Sequence, residues 1–135
     1  MSNKSKGSNA ERELLKICTE RGWRAARVAG SGVNDDSPAD MIIGKLGRRG
    51  YVIEAKSSKS PNIYITKSQI EDFVLFASMT GLAPAIAVRF NRQGWLFLTP
   101  DQLRDSGKNW VVSLKWALEN AKRFSQFFEP ETQEN

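Results

Sequence analysis

Leu14, Leu15, Ile17 and Cys18 recur at the spacing of one helix face, and Ser8 with Glu11 fits a Ser-x-x-Glu capping box. The pattern predicts a first helix over residues 9–21, with Gly22 as its stop. A strand is expected at 23–29, and the polar, glycine-rich stretch 30–38 reads as a loop. Two apolar runs, 40–45 and 51–57, flank the turn residues 46–50 and read as a hairpin. Thr66 and Gln69 form a second capping box, opening a helix to Thr80 with Ile70, Phe73, Val74 and Ala77 inward and Gly81 as its stop. Residues 84–90 and 95–99 make another strand pair, followed by a short turn at 100–105 and a final amphipathic helix over 113–127. The order implies an α/β domain: a mixed five-stranded sheet flanked by helices. Residues 1–7 are expected as a flexible basic arm, 8–128 as the single folded domain, and 129–135 as a flexible acidic tail.

Charge sharpens this picture. The chain of 135 residues carries +5, but Glu129, Glu131 and Glu134 all lie in the tail. The body before it therefore has 20 bases against 12 acids, a net of +8. A basic folded body suits a polyanionic partner such as nucleic acid or an anionic surface. No histidine is present. That excludes Ser-His-Asp and Cys-His catalysis, and histidine-ligated zinc. The lone cysteine, Cys18, reads as a small core residue and fits a reducing, cytoplasmic setting. No apolar run approaches the roughly 20 residues of a membrane span, so no membrane role is expected.

The candidate chemistry sits on the hairpin. Alternation along a strand puts Glu54 and Lys56 on one face and Ile53 and Ala55 on the other. Asp40 stands at the head of the preceding apolar run. Two carboxylates beside apolar strands need a partner or an ion, because isolated buried charge is too costly. A divalent cation held by Asp40 and Glu54, with the Ala55 carbonyl, would activate water and polarise a phosphodiester. Lys56 on the same face would position that water or face the developing negative charge. Arg27, directly before the glycine loop, could grip a phosphate bidentately. Glu11 joins the inward side of the first helix, either as its cap or as a site residue. The pattern points to a metal-dependent nuclease.

Five segments strengthen that reading: Ala10-Glu-Arg-Glu-Leu-Leu15, Arg27-Val-Ala-Gly-Ser-Gly32, Pro38-Ala-Asp40, Val52-Ile-Glu-Ala-Lys56 and Ile63-Tyr-Ile-Thr-Lys67. In order and spacing they resemble the archaeal-type Holliday junction resolvases of the PD-(D/E)-x-K nuclease superfamily. The likeness spans about residues 7–128 and implies a restriction-endonuclease-like fold. It also implies Mg2+ as cofactor, with Mn2+ able to substitute, no small-molecule cofactor, and a two-fold homodimer cutting four-way junction DNA by paired symmetric nicks. Glu11, Arg27, Ser31, Asp40, Glu54 and Lys56 then match the catalytic set, and Glu11, Asp40, Glu54 and Ala55 the metal ligands. The loop Val33–Ser37 is longer than in several relatives, and its acidic pair Asp35-Asp36 is unexpected beside a phosphate path, with a second cation as its alternative ligand.

Recognition of a branched shape rests on phosphate contacts. The candidates are Lys4, Lys6, Arg12, Arg27, Arg48, Arg49, Lys59 and Lys67, with Arg48-Arg49 at the hairpin tip foremost. The C-terminal third holds Trp95, Phe97, Trp110, Trp116, Phe124, Phe127 and Phe128. A core under the last helix can absorb about half of these large apolar groups; the rest are expected to leave an exposed patch, which a two-fold partner would cover. Alternatives are a superfamily nuclease acting on flaps, mismatches or duplex, and a branched-DNA-binding module without catalysis. The resemblance implies a prokaryotic setting, or a viral one within a prokaryotic cell.

Overall fold

The computed structural model describes residues 2–29 and 37–130, with side chains from residue 9 onward. Helix α1 spans Ser2–Glu20. It starts upstream of the boundary the capping box at Ser8 predicts, so Glu11 lies inside the helix and is not spent on its first turn. β1 (Arg24–Arg27), β2 (Met41–Gly44) and β3 (Tyr51–Ser58) follow. After β4 (Asn62–Thr66), α2 covers Lys67–Thr80. Its capping box, Thr66 with Gln69, and its left-handed stop at Gly81 (φ 76°) form as the sequence indicates.

β5 (Ala83–Phe90) and β6 (Gly94–Leu98) pair antiparallel. The main sheet runs β1-β2-β3-β5-β6, with β3 and β5 parallel and every other neighbour antiparallel. This is the expected mixed five-stranded sheet. The parallel step needs a crossover, which β4 and α2 supply. A second sheet is not legible in the pattern: β7 (Arg104–Asp105) and β8 (Asn109–Ser113) join β4 in the order β4-β8-β7.

The predicted last helix is two. α3 (Leu114–Asn120) and α4 (Phe124–Phe128) are separated because Lys122 leaves the helix and exchanges both backbone hydrogen bonds with Phe97 on β6. That pairing covers the open edge of the sheet. Leu14, Cys18, Trp23, Ile53, Phe97, Phe124 and Phe128 fill the core under α1 and α4. Val52, Phe73, Ile86 and Val88 fill the opposite face, under α2, α3 and the small sheet.

The aromatic residues expected to form an outward patch are largely this core. Trp95, Phe97, Phe124 and Phe128 are buried, and Phe127, Trp110 and Trp116 are half-buried. Phe97, Phe124 and Phe128 meet edge to face around Trp23 and Tyr51. The exposed apolar groups lie elsewhere, notably Leu75 and Met79 one turn apart on α2, with Val74 beside them at 38% exposure where the sequence pattern points it inward.

Candidate active site

Asp40 immediately precedes β2, and its backbone N–H still donates to the Ile53 carbonyl at 2.9 Å. Beyond that point β3 continues to Ser58 with no strand beside it on this edge among the described residues. The Asp40 carboxylate fills the first vacancy in the ladder, accepting the Ala55 N–H at 2.7 Å. The N–H and C=O of one strand residue leave the same edge. The Ala55 carbonyl therefore faces the same gap as the Asp40 oxygens.

Glu54 is 6% exposed, the one charged residue buried among those described. Lys56, two positions on and thus on the same face, holds its Nζ 3.6 Å from Glu54 Oε2. Burial pushes the Glu54 carboxyl up to about 8; the negative charge of Asp40 adds to this and Lys56 only partly offsets it. Burial likewise raises Asp40 to about 6, against the pull of the Ala55 hydrogen bond, with the Glu11 carboxyl close enough to share a proton with it. Glu11 is fixed from the other side by Arg27, whose Nη2 donates to Oε1 at 2.8 Å. Three acids thus crowd one end of the sheet, with Lys56 and Arg27 as their basic partners.

The arrangement fits a divalent cation. Like charges that raise one another's pKa form a site where a positive ion replaces a proton. No three acid, histidine or cysteine side chains among the described residues are placed to hold a metal ion together. Magnesium needs no such trio, since it keeps several waters and takes one or two carboxylates.

Glu11, Asp40 and Lys56 line one end of a cleft of about 930 Å³, with Glu54 buried beside them. Glu11, Asp40, Ala55 and Lys56 are on its wall, with Asn9, the end of β3 and the turn after it from Ser57 to Ser60, and the end of β5 and the turn after it with Arg89, Asn91 and Arg92. Of the proposed DNA contacts, Lys59 lies in the cleft and Arg12 is exposed on α1. Lys67 does not line it; it is tied to Asp105 at 2.8 Å and stacks over Trp110. Arg48 and Arg49 sit in the β2–β3 turn, at the end of β3 opposite Lys56, so the hairpin tip is set away from Asp40 and Glu54. Ser31, Asp35 and Asp36 lie outside the described residues, as do the side chains of Lys4 and Lys6.

Sequence reasoning missed the β5–β6 side of the cleft. Only the parallel register, Lys56 beside Val88 and Ser58 beside Phe90, carries that turn to the site.

The family model described as archaeal Holliday junction resolvase (Hjc) matches residues 2–134. The chain belongs to that family. Among the archaeal Holliday junction resolvases similar to it, the crossover junction endodeoxyribonuclease Hjc of Methanocaldococcus jannaschii is 36% identical over 107 residues, covering 79% of this chain and 75% of the relative. The Hjc of Archaeoglobus fulgidus is 33% identical over 129 residues, 93% of this chain and 94% of that one. The solved structure of Archaeoglobus fulgidus Hjc, a Holliday junction resolvase from an archaeal hyperthermophile, superposes with a TM-score of 0.79 at 28% identity, covering 88% of this chain and 97% of that one. The fold is the restriction-endonuclease-like fold expected of the family. Among the described residues, no helix is long and apolar enough to cross a membrane.

Proposed function

We propose that this protein is a structure-specific endonuclease that resolves four-way DNA junctions by magnesium-dependent hydrolysis, making paired symmetric nicks as a homodimer. The observation that carries the reading is the cluster at the cleft wall: Asp40 held on the Ala55 N–H, and Lys56 3.6 Å from the buried Glu54, beside a cleft lined by further cations. Family membership supports the junction as substrate, since the relatives are named crossover junction endodeoxyribonucleases.

Asp40, Glu54 and the Ala55 carbonyl would hold the ion, with Glu11 as a further acid on its rim. When bound, magnesium (or manganese in its stead) supplies a lowered pKa for water and a Lewis acid for the phosphate. The chain's own groups do the rest. Lys56, anchored by Glu54, faces the negative charge that builds on the phosphate oxygens. Arg27 keeps the Glu11 carboxylate turned toward Asp40. Cations around the cleft hold the backbone in register without reading bases.

Paired cutting needs two such sites facing one junction. The exposed Leu75 and Met79 on α2 supply an apolar face for a second copy, and two-fold pairing is the commonest closed arrangement. The test is a denaturing gel of a synthetic four-way junction and its component duplexes, with magnesium or with chelator. Symmetric magnesium-dependent nicks in the junction alone are expected. Equal cutting of duplex would favour a general or flap nuclease, and binding without cutting a non-catalytic module.

A further inference from the structure

Four cations among the described residues line the cleft, and two of them are already engaged by acidic side chains. Lys56 is paired with Glu54, and Arg89 with Glu13 at 2.5 Å. Lys59 and Arg92 make no ion pair or hydrogen bond with any described residue, and both are exposed. They stand at the far end of the cleft, on the two turns that follow β3 and β5.

Arg92 has a second peculiarity. Its φ of 65° makes it the only non-glycine residue in the left-handed region among those described. An arginine is a costly choice there, where glycine or asparagine fits with less strain. The surroundings hold it in place regardless. The Gln93 N–H donates to the Phe90 carbonyl at 3.0 Å, closing the turn. Arg123 reaches across from the start of α4 and donates to the carbonyls of Gln93 and Trp95, at 2.8 and 3.1 Å. Arg89, three residues before Arg92, is locked between Glu13 and the Trp95 ring. Strain kept by over-determined surroundings is characteristic of functional positions. Here the strained residue is an unpaired cation on a rigid platform, on the wall of the catalytic cleft.

We infer that Arg92 is a phosphate-binding residue, gripping the backbone of the cleaved strand several nucleotides from the scissile phosphate; this rests on the nuclease reading above. The register fixes the span. Glu54 lies opposite Ile86 and Ser58 opposite Phe90. Four strand residues cover about 13 Å at roughly 3.3 Å each. Arg92 lies beyond that point. At about 3.4 Å of rise per nucleotide on one strand, the gripped phosphate falls about three to five nucleotides from the cut. The guanidinium fork matches a phosphate, and with Lys59 on the facing turn it would bracket the strand.

The experiment is a methylphosphonate scan. Single neutral linkages are moved along the cut strand of a synthetic four-way junction, and binding is followed by anisotropy in chelator. Neutralising the linkage about three to five nucleotides from the nick should weaken wild-type binding several-fold, yet leave Arg92→Gly and Arg92→Asn at their own lower affinity. Both variants keep a residue suited to left-handed backbone, so their thermal midpoints should match or exceed the wild type. Each should also flatten the slope of log affinity against log salt by about 0.9 for every phosphate that the protein no longer neutralises. A scan identical in wild type and variants overturns the role of Arg92. A wild-type protein that fails to bind the junction at all overturns the nuclease reading, and this inference with it.

Discussion

The carboxylate of Asp40 accepts the backbone N–H of Ala55 at 2.7 Å, standing in for the strand that β3 lacks on that edge among the described residues. One side chain thereby does two things. It satisfies a backbone donor that would otherwise be orphaned, and it is fixed beside Glu54, whose burial makes its own charge costly. The site is built where the sheet runs out of strands.

Asp40→Asn and Glu54→Gln should therefore separate binding from chemistry. Each removes a carboxylate while keeping the shape, so junction affinity in chelator should change little. Cleavage with magnesium should fall about a thousandfold or more, the several kcal/mol that a Lewis-acid ion supplies. Single-turnover rates on a labelled junction measure this. Residual activity within tenfold of the wild type, an order-of-magnitude bound of about 1.4 kcal/mol, would remove these residues from the mechanism.

The metal-free protein should lose stability as pH rises. The Glu54 carboxyl sits at about 8, above its ordinary 4.5, because burial and Asp40 disfavour its charge. The folded state thus holds this proton more tightly than the unfolded chain does. The stability it provides is complete below the unfolded value and disappears as pH climbs through about 8. Asp40, raised to about 6, acts in the same direction over a lower window. Thermal midpoints in chelator should fall between about pH 5 and pH 8.5, and magnesium at the upper end should reverse the loss by mass action. Glu54→Gln should flatten the profile. A midpoint that climbs across this range would contradict the assignment.

Glu11 and Arg27 should behave as one unit, since their 2.8 Å pair turns Glu11 toward Asp40. Glu11→Gln and Arg27→Ala are each expected to slow cleavage, and the double variant to be no slower than the worse single one. Additive losses would mean that Arg27 acts on the DNA independently of Glu11.

Much of this is legible in the sequence, for identifiable reasons. Glu54 and Lys56 share a face because strand alternation is strict, and Asp40 precedes an apolar run short enough to be only a strand. Thr66, Gln69 and Gly81 mark α2 through local hydrogen bonds that need no tertiary context. What the sequence hides are long-range events. The helical period of 113–127 conceals the break at Lys122, which exists only because Phe97 on β6 offers an edge. The second sheet pairs β4 with β8 across some fifty residues, Ile63 opposite Val112, so its strands escape any local window. The C-terminal aromatics are too many for a core drawn from the sheet alone, yet α4 folds back over Trp23 and Tyr51 and buries Phe124 and Phe128 with Phe97.

With those aromatics largely buried, the proposed homodimer would use the exposed Leu75 and Met79 of α2. Leu75→Glu, on the exposed face, should leave folding intact, since surface changes usually stay within about 0.5 kcal/mol. It should convert the protein to monomers by light scattering and replace paired cutting by single nicks. Phe128→Ala, by contrast, should cost about 3–5 kcal/mol of stability, because the ring is buried among Phe97, Phe124 and Tyr51. A Leu75→Glu protein that remains dimeric would exclude the α2 face as the interface.

The most direct measurement is a manganese soak of crystals of the protein, read by anomalous scattering. An ion is predicted within about 2.0–2.3 Å of oxygens from Asp40, Glu54 and the Ala55 carbonyl, with Lys56 close by and unbound to it. Manganese found only elsewhere, with Asp40 and Glu54 left facing each other unbridged, would contradict the account.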